Sequence, residues 1–215
     1  MTEKKLFFYI PALSGGGTER FFTQLIILLS KQKQYSITFF YSNGSNRNEK
    51  LNNNSNLKLH KTFFSRTSFA IFEIIYFLWA EKPSVLITAQ NHPNTLFSLL
   101  RNLLPRKTKI IISERAFTNL ALNDASIYLR KIFNNLIPLA YKKADFIHCI
   151  TKRIADTLAT KYKVPRKKII IIPNFVDIEN IKAKSRENRY IQSNESYINP
   201  YILSIGRLHN QKGFK

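Results

Sequence analysis

The sequence predicts an α/β protein built on a doubly wound parallel sheet, and two observations lead to this prediction. Short apolar segments alternate with segments whose apolar residues recur at helical spacing, along most of the 215 residues. The apolar segments are also continuous rather than alternating, which is typical of strands that helices cover on both faces of a sheet.

The predicted strands are apolar runs that end in polar or glycine-containing segments. They cover residues 6–10, 37–41, 57–60, 85–88, 109–113, 146–150 and 169–172. The predicted helices cover residues 18–30, 68–81, 94–104, 124–141 and 151–162, with Asp124 and Thr151 as the amino-terminal caps of the last two. Residues 68–81 are apolar almost all round, which predicts a buried helix.

The alternation ends near residue 180, and the composition then changes. Residues 184–199 are polar without periodicity, whereas residues 201–205 form another apolar run. We therefore predict an α/β domain over residues 1–183, a linker over 184–200, and the first strand of a truncated second domain over 201–215.

Composition narrows the classes of partner. The formal net charge of +21 favours an anionic partner, such as phospholipid, nucleic acid or a phosphorylated substrate, although base composition of the genome also explains a Lys-rich sequence. The sequence has no RNA-binding aromatic motif, zinc finger or helix-turn-helix signal, so nucleic acid is not expected. Cys149 is the one cysteine, which excludes an internal disulfide. The longest apolar stretch, residues 69–80, is shorter than the ~20 residues of a spanning helix.

A glycine-rich loop, LSGGGTER, separates the first predicted strand from the first predicted helix. Glycines at this position let the main chain approach a ligand, and a helix amino terminus offers N–H groups to an anion. The loop is not a dinucleotide fingerprint, because Arg20 replaces the third glycine and no acidic residue ends the second strand. It also lacks the Gly-Lys-Ser/Thr of a P-loop. A tight turn without a ligand is the alternative.

Two more strand ends carry polar side chains. His92 lies in TAQNHPN, after the strand at residues 85–88, and Glu114 with Arg115 lies in ISERAF, after the strand at residues 109–113. A structural histidine and a salt bridge at a helix cap are the alternatives. His148 lies inside a strand, where core packing is the better account, and no cluster with metal-ligand spacing is present.

In order along the chain, the motifs resemble the retaining glycosyltransferases of family 4, which have the two-domain GT-B fold. The matching segments are GGGTER (15–20), NHPN (91–94), SERAF (113–117), KADFIHCIT (143–151), IPNFVD (172–177) and SIGRLHNQKGF (204–214). The chain looks most like the amino-terminal portion of bacterial members that build cell-surface glycans, including N-acetylgalactosamine transferases. The resemblance implies a Rossmann-like, acceptor-side domain followed by the start of a nucleotide-sugar-binding domain.

The resemblance also implies roles for particular residues. Gly16, Gly17, Arg207 and Lys212 would bind the donor diphosphate, and His92, the catalytic candidate, would face the donor sugar or acceptor. The acceptor would be bound by Gly15, Glu114 and Arg115. The reaction would need no metal or other cofactor beyond the nucleotide-sugar donor, since a phosphate oxygen of the donor takes the proton of the acceptor.

Two further expectations follow from the resemblance. The family's E-x7-E motif does not occur after Lys212, so we expect no turnover from these 215 residues alone.

Members with polyprenyl-linked acceptors rest on the inner, cytoplasmic face of the membrane through basic surfaces. The candidate residues for such a surface here are Arg101, Arg106, Lys107, Arg130 and Lys131. A non-catalytic α/β module that binds a phosphorylated ligand or an anionic membrane surface is the alternative function.

Overall fold

The computed structural model describes residues 3–44, 51, 54–115 and 127–186, with side chains described for residues 135–179 and 181–186 of the last range. The chain divides into two compact units, Met1–Asn174 and Phe175–Lys215. The first unit contains the sheet and its helices.

A seven-stranded, wholly parallel sheet confirms the predicted fold class. Its strands are β1 (Lys4–Leu13), β2 (Tyr35–Gly44), β3 (Leu57–Lys61), β4 (Val85–Ala89), β5 (Lys109–Glu114), β6 (Phe146–Cys149) and β7 (Ile169–Ile171). They lie in the order β3-β2-β1-β4-β5-β6-β7. Every predicted strand is present. β1 and β2 are longer than predicted because strand pairing continues from Ala12 and Leu13 to Asn43 and Gly44, beyond the apolar runs.

Helices connect these strands. They are α1 (Gly17–Ser30), α2 (Thr67–Glu81), α3 (Asn91–Leu99), α4 (Ile127–Lys143) and α5 (Lys152–Thr160), and the second unit contributes α6 (Ile178–Arg186). Thr151 caps α5 as predicted, since its Oγ1 accepts a hydrogen bond from the N–H of Ile154 at 3.3 Å. The predicted cap at Asp124 lies outside the described residues.

The two faces of the sheet carry different helices. The ring of Phe8 in β1 packs against Phe22 of α1, with centroids 6.0 Å apart. On the opposite face, the ring of Phe40 in β2 packs against Phe77 of α2 at 5.5 Å. Successive residues of a strand point to opposite faces, and right-handed crossovers place α1 on one side and the later helices on the other. The sheet is therefore doubly wound.

The prediction that α2 is buried all round is wrong. Its Ala70, Ile71, Ile74 and Leu78 lie in the core, but Phe72 and Tyr76 are 66% and 68% exposed. Apolar residues on every side of a helix predict that protein packs against every side. This helix packs against the core along one side, and its other side is exposed. Within the described residues no helix has the length and apolar character needed to cross a bilayer.

The predicted linker begins inside a helix. α6 continues to Arg186, so residues 184–186 are helical. Residues 187–215, which include the remainder of the predicted linker and the predicted strand at 201–205, lie outside the described residues. The proposed domain bounds stay predictions.

Candidate functional site

The predicted functional loops meet at one edge of the sheet, because all strands run in the same direction. The glycine loop follows β1, the segment with His92 follows β4, and Arg115 follows β5. β1 and β4 are neighbours, and the strand order reverses between them. In open parallel sheets this reversal point is where ligands bind, beyond the carboxyl ends of the strands.

A buried carboxylate holds the glycine loop in place. Glu19, in the first turn of α1, accepts hydrogen bonds from the N–H groups of Ser14 at 2.5 Å, Gly15 at 2.5 Å and Gly16 at 3.1 Å. The hydroxyl of Ser14 donates a fourth bond at 3.2 Å. Negative charge in the first turn also interacts favourably with the helix dipole. Glu19 thus fixes the path of the main chain between β1 and α1.

The three glycines of this loop differ in backbone conformation and in the space around them. Gly15 has a φ of +94°, a conformation in which a side chain is strained. Gly16 has an ordinary extended conformation, and a Cβ there would meet Glu19 Oε1 at 3.4 Å. A Cβ on Gly17 would meet no atom of the described protein within 4 Å. The fold therefore requires glycine at position 15 and leaves open space beside position 17.

The start of α3 is fixed by a buried amide. Asn94 accepts a hydrogen bond from Thr88 Oγ1 of β4 at 2.8 Å and donates one to the carbonyl of Ser113 in β5 at 3.0 Å. Gln90, between β4 and α3, has φ +76° and ψ 148°, a region that residues with a side chain rarely adopt, at a cost of about 1–3 kcal/mol. This turn positions His92, an exposed side chain whose pKa is lowered by partial desolvation.

Glu114 lies in the protein interior rather than at the surface. Its carboxylate is 2% exposed and accepts a hydrogen bond from the hydroxyl of Tyr141 in α4 at 2.5 Å. Burial, and then the nearby Glu114 charge, raises the pKa of Tyr141 well above its usual range. Burial and the same carboxylate raise the pKa of the Cys149 thiol to about 12. The predicted role of Glu114 in acceptor binding stays a prediction.

Arg115 connects three elements at the carboxyl edge. Its Cζ lies 3.8 Å from the ring centroid of Phe21 in α1, and its Nη2 donates to Asn174 Oδ1, after β7. Desolvation lowers the pKa of the guanidinium to about 10, so Arg115 remains charged near neutral pH. Its Nη1 is buried and has no hydrogen-bond partner among the described residues. Phe21 and Asn174 thus hold a charged guanidinium at this edge of the sheet.

His148 supports this cluster from within β6. Its ring stacks on Phe21, with centroids 6.2 Å apart. Its Nε2 lies 2.9 Å from the carbonyl oxygen of Ile172, and its Nδ1 lies 3.0 Å from Ser113 Oγ. Because a carbonyl can only accept, the neutral ring carries its proton on Nε2 and accepts at Nδ1. This half-buried, doubly bonded ring agrees with a structural role.

The environment of His148 predicts acid sensitivity. Desolvation lowers the pKa of His148 below the ordinary value of 6.5. The hydrogen bond to the carbonyl of Ile172 opposes this decrease in pKa, and the positive charge of Arg115 adds to it. The unfolded chain then binds a proton before the folded one does, so the free energy of unfolding is highest above pH 6.5 and falls as the pH decreases below it. We expect His148→Gln to make this fall shallower, measured by urea denaturation from about pH 7 to about pH 5. An unchanged slope in the variant would contradict the assignment.

The described residues bring together Gly15, Gly16, Gly17, His92 and Arg115 at one sheet edge, with Glu114 beneath it. Arg207 and Lys212 lie outside the described residues, so their predicted role in binding the donor diphosphate stays a prediction. No group of three or more His, Cys, Asp or Glu side chains that could hold a metal ion occurs in the described part of the chain.

A family comparison agrees with this arrangement. Residues 15–180, from the glycine loop to the start of α6, match the family model described as Glycosyltransferase Family 4. The chain belongs to glycosyltransferase family 4. The glycine loop, strands β2 to β7 and the segments with His92 and Arg115 lie within this match.

One curated relative supports the family assignment. The N-acetylgalactosamine-N,N'-diacetylbacillosaminyl-diphospho-undecaprenol 4-alpha-N-acetylgalactosaminyltransferase of Campylobacter jejuni is 30% identical over 127 residues, which cover 57% of this chain and 31% of the relative. The matched segment of this family 4 chain therefore covers about a third of that enzyme.

Solved structures support the GT-B fold. Phytolacca americana UGT2, solved with UDP-2fluoro-glucose and pterostilbene, has a TM-score of 0.58 at 12% identity, covering 86% of this chain and 58% of its own. The apo form of a lipopolysaccharide outer core galactosyltransferase has a TM-score of 0.53 at 18% identity, covering 80% and 46%. At these identities the likeness shows the Rossmann-like fold of GT-B glycosyltransferases and nothing finer.

Several residues of this family 4 site were not singled out from the sequence. Glu19, Asn94 and Tyr141 act through partners in other elements or loops. The position of Glu19, three residues after Gly16, is the spacing of a capping box and could have indicated its bond to the loop. No local pattern indicates that Asn94 joins β4 to β5.

Proposed function

We propose that this family 4 chain is part of a retaining glycosyltransferase that moves a hexose or N-acetylhexosamine from a nucleotide sugar to a glycan or lipid-linked acceptor. The product would enter surface polysaccharide or glycolipid biosynthesis. Family membership supports glycosyl transfer. The Campylobacter jejuni relative, an N-acetylgalactosaminyltransferase that acts on a diphospho-undecaprenol acceptor, supports an N-acetylhexosamine donor and a lipid-linked acceptor.

The geometry of the glycine loop carries this proposal. The loop lies at the reversal point of the strand order, at the amino terminus of a 14-residue helix. Such a terminus attracts a phosphate through its N–H groups and its dipole. The N–H groups of Gly15 and Gly16 already donate to Glu19, so we assign the closest approach of the donor diphosphate to Gly17. The open space beside Gly17 fits this assignment.

The proposed transfer keeps the anomeric configuration of the donor sugar. The acceptor hydroxyl oxygen forms a bond to the anomeric carbon on the face from which the nucleoside diphosphate leaves. The hydroxyl proton passes to a phosphate oxygen of that leaving group. Arg207 and Lys212 would neutralise the charge that develops on the diphosphate, which is why the proposal includes no bound metal or other cofactor.

His92 and Arg115 contribute different contacts in this proposal. His92 has a lowered pKa and is therefore neutral near pH 7, so it would face the donor sugar or acceptor as a hydrogen-bonding group rather than as a cation. Arg115 would bind an anionic or hydroxyl-rich acceptor through its guanidinium, which is charged near neutral pH. Glu114 would act as a positioning residue, since its carboxylate is bonded to Tyr141 and fixes the end of β5.

A lipid-linked acceptor would bring the protein to the inner face of the cytoplasmic membrane. The net charge of +21 supports attraction to an anionic membrane surface, where each nearby basic residue contributes about 1 kcal/mol. We therefore include peripheral membrane association in the proposed function.

A transfer assay with the complete protein tests the reaction. UDP-activated hexoses and N-acetylhexosamines are offered with a short-chain diphosphopolyprenyl glycan, and the anomeric configuration of the product is read by NMR. We expect transfer of one donor class with retention. Inversion, or hydrolysis without transfer, contradicts the proposal.

Replacing Gly17 by alanine separates a ligand site from a tight turn. Alanine favours a helix by about 0.5–1 kcal/mol over glycine, and its Cβ meets open space, so the free energy of unfolding should stay equal or rise. If the donor phosphate approaches here, KM for the nucleotide sugar should rise about tenfold or more. An unchanged KM would show that the loop is a turn without a ligand. Gly15→Ala is the control, since its φ of +94° predicts lost stability in either case.

A further inference from the structure

The outward face of α2 is a stripe of aromatic side chains. Phe69, Phe72, Tyr76 and Trp79 are 50%, 66%, 68% and 52% exposed. Their spacing of three and four residues places them along one side of the helix, opposite the residues that pack in the core. We call these four side chains the aromatic face.

Neighbouring segments extend the apolar surface at both ends of α2. Phe63, in the loop before the helix, is 88% exposed. At the other end, Trp79 Nε1 donates a hydrogen bond to the carbonyl of Leu103 at 2.9 Å, and the Leu103 side chain is 59% exposed. The stripe alone spans about 15 Å, at 1.5 Å per helical residue. A continuous surface of this kind differs from single exposed apolar residues and indicates an interaction site.

Basic residues stand at the ends of this surface, and the acidic residues of α2 are engaged. Arg66 caps the amino terminus of α2 and Lys82 caps its carboxyl terminus, both exposed.

Both acidic side chains of α2 have partners. Glu73 accepts a hydrogen bond from the N–H of Phe63 at 2.9 Å and pairs with His60, whereas Glu81 lies 3.8 Å from Lys5 Nζ. The surface is therefore apolar along its length and cationic at its ends.

We propose that the aromatic face docks on the surface of an anionic lipid bilayer, with the rings at the level of the headgroups. Tyr and Trp rings favour this interfacial depth, and cations at the helix ends attract anionic headgroups. A second copy of the chain would bring cationic ends together, in a protein of net charge +21, so charge complementarity favours the bilayer. This inference rests on the proposed function, because a lipid-linked acceptor is located in the membrane on which the aromatic face would dock.

The chain carries a native probe of this contact, because Trp79 is its one tryptophan. Vesicles of equal parts phosphatidylglycerol and phosphatidylcholine are added to the 215-residue chain while tryptophan emission is recorded. We expect a blue shift and quenching by brominated acyl chains. Vesicles of phosphatidylcholine alone should give a much weaker response, since the cationic ends then have no partner.

The double variant Phe72→Ser, Tyr76→Ser tests the assignment by vesicle sedimentation. Both side chains are largely exposed, so the fold should persist; thermal unfolding checks this. We expect at least about a tenfold loss of partitioning. The single variant Leu28→Ser is the matched control, because Leu28 is 49% exposed on α1, on the opposite face of the sheet, and its partitioning should equal that of the wild type.

The outcomes separate docking from the transfer reaction. Wild-type partitioning of the double variant, or no emission shift of Trp79, overturns the proposal. A dimer of the wild type in light scattering also overturns it if the double variant is a monomer with unchanged vesicle binding. That result would assign the aromatic face to contact with a second copy of the chain. Transfer to a short, water-soluble acceptor should be unchanged in the double variant. Vesicle binding without transfer by the complete protein would reject the proposed reaction and leave the docking surface standing.

Discussion

Glu19→Gln should cost about 2–4 kcal/mol of the free energy of unfolding and lower kcat/KM about 100-fold. The carboxylate accepts from the N–H groups of Ser14, Gly15 and Gly16. A glutamine amide offers one acceptor oxygen and turns an N–H₂ group toward main-chain donors. The loop then loses the fixed path that places Gly17 beside the proposed diphosphate. Urea denaturation and the transfer assay measure the two effects.

The matched control for this prediction is Glu3→Gln, since Glu3 is exposed and the substitution makes the same change of charge. It should alter stability by no more than about 0.5 kcal/mol. An unchanged free energy of unfolding in Glu19→Gln would show that the loop holds its path without the carboxylate. Increased transfer in that variant would show instead that the negative charge opposes the donor phosphates.

Asn94→Ala should lower the free energy of unfolding by about 2–4 kcal/mol. The Asn94 side chain is fully buried and joins α3 to both Thr88 of β4 and Ser113 of β5. Its removal leaves the hydroxyl of Thr88 and the carbonyl of Ser113 without this partner, in a region that water does not reach. Chemical denaturation gives the loss of stability directly.

The same variant should also reduce transfer, because Asn94 holds the turn from which His92 projects. The control is Asn102→Ala, at an exposed position of the same connection, which should change stability by less than about 0.5 kcal/mol. If both variants lose equal stability, the buried bridge does not account for the effect.

The fold class is determined by the sequence to an unusual degree here, because strands buried on both faces must be apolar along their whole length. Residues 6–10, 37–41 and 109–113 could therefore be recognised without their neighbours, and all lie in strands. Alternation with helical segments then leaves a parallel sheet as the solution. The loops that follow parallel strands necessarily lie at one edge, which is why the sequence placed Gly17, His92 and Arg115 together.

The tertiary structure decided which side chains form hydrogen bonds with each other. That Glu114 is buried against Tyr141 depends on the packing of α4 against β5, and that His148 bonds to Ile172 depends on the pairing of β6 with β7. Hydrogen bonds between residues 24 to 27 positions apart leave no periodic trace in a sequence. The site residues were therefore predictable by type and location, and their partners were not.

The helix α2 shows the same division for apolar surface. Its sequence determined that aromatic and aliphatic residues surround the helix, and this composition predicted burial on all sides. The structure covers one side, with Ile71, Ile74 and Leu78, and exposes Phe72 and Tyr76. Hydrophobicity is a property of each residue, and so the sequence contains it. Which surface covers a given side chain depends on neighbours brought close by folding, and only the tertiary structure decides that.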